Sequence, residues 1–325
     1  MITGIQEQVG SGFEAQIDEA INGKQEQIKK FVGLDVMNFQ PIDSSFKEGE
    51  PVTIEGQIKA GALDVEIPVK FICDAKKEDQ TKSTSADLLT PDHMTVYESD
   101  ERLLDCKFDS LEKGSYQIKL TAEYDFGTKG EVSHYTIKSD LFNALLDTAR
   151  KQGGDAYNLF YSQYGLSPNG ESLSSPGPVT VALSAGKDVL VINPASPTDI
   201  ILKITLKNSW EGLIGDVRSL TMVIPKGFGI KDVAGKDPKE QVKQIRCEEM
   251  PGNRDVSAGC DNAKHNVYVI PMKKEPIQLL RNIRAYLSLD DPDSVVGKAL
   301  YNVQTFKLFA DYTYRIERQA EVRVQ

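Results

Sequence analysis

Between residues 104 and 137, apolar and polar side chains alternate with the period of a strand that wets one face. Tyr116, Ile118, Leu120, Ala122, Tyr124 and Phe126 alternate with Gln117, Lys119, Thr121, Glu123 and Asp125. Leu104, Cys106 and Phe108 keep the same alternation upstream, and Val132, His134 and residues 135–137 resume it downstream. Gly114 and the pair Gly127 and Gly130 punctuate these runs as turn residues do. The pattern predicts three short strands in an antiparallel meander, part of a sandwich or barrel. Similar runs at 52–58, 63–73 and 94–97 predict further strands, with Pro68 marking an edge or a bulge. A second series follows at 179–183, 189–192, 200–206, 220–224, 266–270 and 283–289, and a long final run covers 303–324.

Three segments carry helical spacing instead. Ile5, Val9, Phe13, Ile17 and Ile21 recur every fourth residue, followed by Ile28 and Phe31, a narrow apolar stripe on an otherwise polar helix. Gly10, Gly12 and Gly23 weaken that helix, so it needs a surface to lean on: a removed anchor's stalk, a neighbouring subunit or its own first domain. After residue 139, Leu141, Phe142, Leu145, Leu146 and Ala149 form one face, with Ser139 or Asp140 as the cap. Beyond Gly153 and Gly154, Tyr157, Phe160, Tyr161 and Tyr164 recur at i, i+3, i+4 and i+7. This aromatic stripe suits packing between domains or, as the sharper alternative, the binding of a sugar or protein partner. Residues 167–178, rich in Ser, Gly and Pro, read as a linker.

Leu111, Gly114 and Tyr116, followed by the alternating strand that ends in Tyr124 and Phe126, resemble the closing strands of immunoglobulin-like modules on microbial cell surfaces. Residues 206–217, with Asn208, Trp210 and Gly212, carry the same resemblance. The family it points to is the tandem Ig-like domains of archaeal membrane-anchored surface proteins, which implies a surface location and no catalytic motif. The chain departs from antibody-type domains, because Trp210 is its sole tryptophan and none lies between Cys73 and Cys106. An internal echo supports two copies of one topology: residues 122–126 (Ala-Glu-Tyr-Asp-Phe) match residues 310–314 (Ala-Asp-Tyr-Thr-Tyr) in alternation. The expected fold is therefore mainly β: two antiparallel Ig-like β-sandwich domains at 35–139 and 177–325. An N-terminal amphipathic helix (1–34) and a helical connector with its linker (140–176) complete the expectation.

At 325 residues the chain is long enough for two cores. Its net charge of −10 lacks the clustered basic surface that phosphate backbones require, so no nucleic-acid partner is expected. No apolar run approaches the roughly 18 to 20 residues of a membrane helix, and no signal peptide opens the sequence. Either the protein is cytoplasmic or an export or anchor segment is removed before Met1, which would be its only contact with a membrane. The cysteines bear on this choice. Cys73 ends the alternating series Val65, Ile67, Val69 and Phe71, and Cys106 is in phase with Leu104 and Phe108, so both point into one core. Cys247 and Cys260 flank a polar loop. Two local pairs favour disulfides, Cys73 with Cys106 and Cys247 with Cys260, and an extracellular or cell-surface location. Free buried thiols in a cytosolic protein are the alternative.

No phosphate-binding glycine loop, nucleophile elbow or paired-histidine zinc motif occurs, and His93, His134 and His265 are scattered. No cofactor and no metal are expected. Asp290, Asp291 and Asp293 around Pro292 suit either calcium or turn and cap duty. The reading is a non-enzymatic extracytoplasmic structural or interaction protein that meets a protein partner or its own copies. Tyr157, Phe160, Tyr161 and Tyr164 are the candidate contact residues. A glycan- or peptide-binding surface protein is the first alternative, and a hydrolase with an unrecognised site the second.

Overall fold

The alternating segments build three sheets, and the longest strands belong to the one that joins the two halves of the chain. The computed structural model describes residues 33–61, 63–78, 80–98, 100–168, 171–195, 199–237, 239–251, 259–273 and 279–325. The helix expected over 5–31 lies outside the described residues. Strands β1 (Gly33–Pro41), β2 (Val52–Gly61), β7 (Glu101–Phe108) and β5 (Leu88–Thr90) form a four-stranded sheet in that order. A second four-stranded sheet has the order β10 (Val179–Ser184), β12 (Ile200–Asn208), β17 (Leu280–Leu289), β14 (Phe228–Ala234). The third sheet has ten strands. Its path runs β15 (Lys243–Ile245), β16 (His265–Pro271), β13 (Leu213–Pro225), β18 (Tyr301–Val324), β8 (Gly114–Lys138), β3 (Leu63–Lys77), β4 (Ser83–Ser85). Strands β6 (His93–Glu98), β9 (Ser172–Ser174) and β11 (Val189–Ile192) attach off that path. The chain is thus mainly β, and among the described residues every strand pairing is antiparallel except that of β11 with β8, apart from one isolated parallel bridge between Phe46 and Val324.

Each four-stranded sheet packs on the ten-stranded one. Val52, Ile54 and Ile58 of β2 are buried in one core with Ile67, Val69 and Phe71 of β3, and the Cys73–Cys106 disulfide ties β3 to β7 across it. On the other side Phe228 of β14 meets Phe306 of β18 at a ring distance of 5.3 Å. The second disulfide, Cys247–Cys260, closes a loop over the opposite face of the large sheet. There Cys247 and Met250 bury Val223, Val267 and Phe309 in a satellite core.

The meander expected over 104–137 is corrected. Strands β7 and β8 do not pair: residues 109–113 carry the chain from one sheet to the other rather than round a hairpin. Nor is there a turn at Gly127 to Gly130, since β8 is one 25-residue strand. Gly130 is there for close approach: a Cβ at that position would stand 2.6 Å from Val181 Cγ1 and 2.7 Å from the Val181 carbonyl, so β10 can cross β8 only over a bare backbone. Pro68 ends the ladder between β3 and β8 at the pair Val69 and Tyr124. Proline has no N–H to give β8, and among the described residues the first half of β3 keeps only β6, which lies on its other edge and pairs with Ile67 to Lys70.

Strand β18 lies antiparallel to β8 over 24 consecutive pairs, from Tyr301 opposite Ile137 to Val324 opposite Gly114. The echoed segments are neighbours in this ladder: Tyr124 faces Tyr314, and Phe126 faces Tyr312. Tyr124 and Tyr312 are related by the local two-fold of the antiparallel pair, and both are buried. The divisions expected at 139 and 177 are crossed twice as a consequence. Residues 127–138 of β8 lie beside β9 and β10, while residues 313–324 of β18 lie beside β1. Arg318 fastens that end, its Nη2 2.6 Å from Asp35 Oδ1 and its Nε donating to the Val36 carbonyl at 2.8 Å. Trp210, the residue singled out beside a turn, lies over Gly33, where no side chain would fit, and edge-on to Tyr314 at 6.1 Å.

The helical segments form a hairpin on the large sheet. In α1 (Ser139–Gln152) the N-cap position falls on Lys138, not on Ser139 or Asp140, and no side chain caps it. In α2 (Ala156–Tyr164) Asp155 caps, accepting from the Tyr157 and Asn158 amides. Phe142, Leu145, Ala149 and Phe160 are buried against Tyr135, Ile137 and Val189. The expected linker is more than a tether. Ser172–Ser174 pairs with β8, and the Ser172 and Ser174 hydroxyls accept from the Leu183 and Val181 amides at 2.8 and 3.1 Å. Two serines thereby close the free edge of β10.

Candidate functional site

A cleft of about 650 Å³ opens where the β10–β11 turn and β11 stand opposite the first half of β12 and its neighbour β17. It exists because β10 stops at Ser184, opposite Lys203, so that among the described residues no strand pairs with Ile200, Ile201 and Leu202 on that side. Val189, Val191 and Ile201 give the cleft an apolar lining, and Ile201 is 42% exposed to it. Lys187, Lys203 and Arg284 supply three cationic groups to the same space. Lys203 and Arg284 are opposite one another in the β12–β17 register, an arrangement that costs stability by like-charge repulsion. Asp199, the one carboxylate among the described residues that line the cleft, is paired with Lys231. In a chain of net charge −10 this is a positively charged concavity.

The aromatic stripe divides here. Phe160 is buried, with its ring 5.7 Å from Tyr135 and 5.8 Å from Tyr301. Tyr164 packs on Tyr301 at 5.5 Å, and Tyr161 donates its hydroxyl to Asp188 Oδ2 at 3.3 Å. Burial first, and then the Asp188 carboxylate, push the Tyr161 phenol far above its ordinary range. These three hold the hairpin on the sheet. Tyr157 alone reaches the cleft, with the Lys187 ammonium 5.8 Å from its ring centroid.

The other residues marked by the sequence stand apart from the cleft and from each other. His93 is on β6, and His265 accepts from the Asp261 amide at 3.1 Å. Asp291 caps α3 (Pro292–Val296) by accepting from the Ser294 amide, and among the described residues no three His, Cys, Asp or Glu side chains converge as metal ligands would. Lys187, Lys203 and Arg284 were not singled out in the sequence, where each reads as an ordinary wet-face cation. Nothing along the chain signals that the β10–β11 turn and the β12–β17 pair bring them together.

His134 lies behind the turn that walls the cleft. It is 1% exposed, opposite Gln304 in the ladder, with Phe306 6.1 Å away. Neither ring nitrogen has a hydrogen-bond partner in good geometry. Burial lowers its pKa, and the neighbouring Asp188 carboxylate and the Lys187 and Asp188 backbone offset that only in part. An unfolded chain takes up this proton near pH 6.5 and the folded one resists it, so His134 costs no stability above that pH and an increasing amount as pH falls below it. Melting temperature is expected to drop between pH 7.5 and pH 5, and His134→Leu to flatten part of that drop. His265, also lowered chiefly by burial, adds a slope in the same direction that the variant retains. Parallel melting curves for both proteins across this range would refute the assignment.

No family model matches the chain, and no curated protein matches it. Solved structures similar to it include a PapD-like (ASH) domain of human CEP192, at 11% identity over 29% of this chain and 71% of that one, with a TM-score of 0.23. Another is a chain from the chaperone–tip adhesin complex of CFA/I fimbriae, at 9% identity over 84% of this chain and 98% of that one, with a TM-score of 0.21. At that level neither likeness bears on what the cleft does. Among the described residues no helix is long and apolar enough to cross a membrane.

Proposed function

We propose that this is a non-enzymatic protein of the cell surface or extracytoplasmic space, built as two Ig-like sandwiches that share the β8–β18 ladder, and that it works by holding a protein partner in the cleft. The observation that carries the reading is the cleft itself, an apolar lining ringed by Lys187, Lys203, Arg284 and Tyr157. Aromatic and arginine side chains beside apolar area are the residues that dominate protein contacts. Two disulfides favour an oxidising compartment. The separation of the three histidines and the capping role of Asp291 favour binding over catalysis.

A photoreactive phenylalanine placed at Ile201 in the native host tests this directly. A protein adduct at 201, absent when the same group replaces the exposed Leu103 of β7, is the expected result. Equal labelling at the two positions, or labelling only of glycan, would remove the cleft as a protein contact.

A further inference from the structure

We infer that His134, Asp188 and Tyr161 form an acid-operated latch on the β10–β11 turn: at neutral pH Asp188 fastens the turn to α2, and when His134 takes a proton from water the carboxylate swings to the imidazolium and the turn lifts. The inference goes beyond the proposed function and does not depend on what the cleft holds. Residues 185–188 form a thin cover, with Gly186 and Lys187 exposed and Ala185 and Asp188 half-buried between the buried Leu183 and Val189. Few contacts hold them. The Tyr135 amide donates to the Asp188 carbonyl at 2.9 Å, the Tyr161 hydroxyl donates to Asp188 Oδ2 at 3.3 Å, and the Gly186 amide donates to Ser184 Oγ at 3.0 Å. The Lys187 ammonium lies 5.8 Å from the Tyr157 ring centroid. Both hydrogen bonds that tie the turn to its surroundings therefore pass through Asp188.

The same residue stands beside His134. The Asp188 carboxylate and the Lys187 and Asp188 backbone act on the imidazole from the turn, and β18 presents the uncharged Gln304 and Phe306. The Gln304 amide group is already committed, its Nε2 donating to the Val295 carbonyl at 2.6 Å. Along β8 itself the neighbours on the same face, Val132 and Thr136, carry no charge. Asp188 is thus the one carboxylate acting on the ring among the described residues. A bond of 3.3 Å to a phenol is long, and a carboxylate gains more from an imidazolium. An uncompensated charge at so buried a place is costly, and lifting the turn relieves it twice, by admitting water and by freeing Asp188 as counter-ion. With the turn open, His134 titrates near its ordinary value of about 6.5. Each pH unit below that raises the open population by up to about tenfold, until the closed form also takes the proton.

Hydrogen–deuterium exchange of the full chain, corrected for the pH dependence of intrinsic exchange, reads the latch at the Tyr135 amide that the Asp188 carbonyl protects. From pH 7.5 to pH 5, opening at residues 133–137 and 184–190 is expected to rise at least tenfold. Residues 220–224 of β13, paired on both edges, should stay protected. His134→Leu should remove the rise, and His134→Gln replaces it if the leucine variant fails to fold. Asp188→Asn still accepts from Tyr161 but carries no charge for the imidazolium, so it should move the onset to lower pH. A merely structural Asp188 would instead loosen the turn equally at both pH values. The native protein supplies an independent reading by nuclear magnetic resonance, in which the His134 ring should take its proton below pH 6.5 as the turn opens. A rise that persists in the His134 variants, an equal rise in β13, an unmoved onset in Asp188→Asn, or a His134 ring still neutral at pH 4.5 would overturn the inference.

Discussion

Deleting residues 313–325 is expected to unfold the sandwich formed by the first half of the chain. The deleted stretch holds Tyr314, Ile316, Ala320, Val322 and Val324, all buried. It also holds the Arg318 contacts to Asp35 and Val36, and the Arg323 carbonyl that accepts from the Phe46 amide at 3.0 Å. At roughly 1.5 to 3 kcal/mol for each large buried apolar side chain, the loss rivals the 5 to 15 kcal/mol that is the usual whole stability of a domain. Limited proteolysis followed by mass spectrometry should show cuts appearing within residues 33–126, far from the truncation in sequence. A fragment of residues 33–139 should fail to fold alone and recover protease resistance when a peptide of residues 312–325 is supplied. An unchanged melting curve for the truncated protein would show that β18 is not a member of this half.

Replacing both Cys73 and Cys106 by Ala is the second large effect. The bridge spans a separation of 33 residues, against 13 for Cys247 and Cys260. Chain entropy assigns about 4 kcal/mol to the longer closure and about 3 to the shorter. The longer one also joins two sheets through a buried core, so the alanine pair leaves a small packing defect as well. In urea the double variant should unfold at a lower midpoint and with a steeper slope, because the denatured chain freed of the longer bridge exposes more surface. Reductant should shift the native protein toward it while shifting the variant less, through Cys247–Cys260 alone. A native protein whose midpoint ignores reductant would show that the bridge contributes nothing.

Much of the architecture was legible because burial on one face forces alternation, and alternation survives in the sequence of β2, β3, β8 and β18. Cys73 and Cys106 were readable for the same reason, since both are in phase with one core; that they join two facing sheets was not, because phase alone does not separate a neighbouring strand from a facing one. Pro68 was readable because a missing N–H must end a ladder. The glycines of β8 misled, since a glycine that admits a crossing backbone and one that makes a turn look identical along the chain. Ser172 and Ser174 looked like a linker because a hydroxyl that closes a strand edge has no signature apart from flexibility. The aromatic stripe was visible as a stripe, but the choice between Phe160 in the core and Tyr157 in the cleft depends on which face of α2 meets the sheet. The cationic cleft was not visible at all, because Lys187, Lys203 and Arg284 converge only through the β10–β11 turn and the β12–β17 register.

The β8–β18 ladder also decides how the molecule would carry load. Its 24 pairs extend about 80 Å, and the strands leave it at opposite ends: β8 runs into the helical hairpin at Ser139, while β18 ends with the chain at Gln325. Tension applied between that hairpin and the last residue pulls the two strands past each other along their length. Every pair then resists together, as in a lap joint, instead of opening one after another, as in a zipper. A pull applied at the shared end, between Gly114 and Val324, would peel the same bonds singly. The direction of loading, more than the number of bonds, therefore sets the force at which the protein gives way.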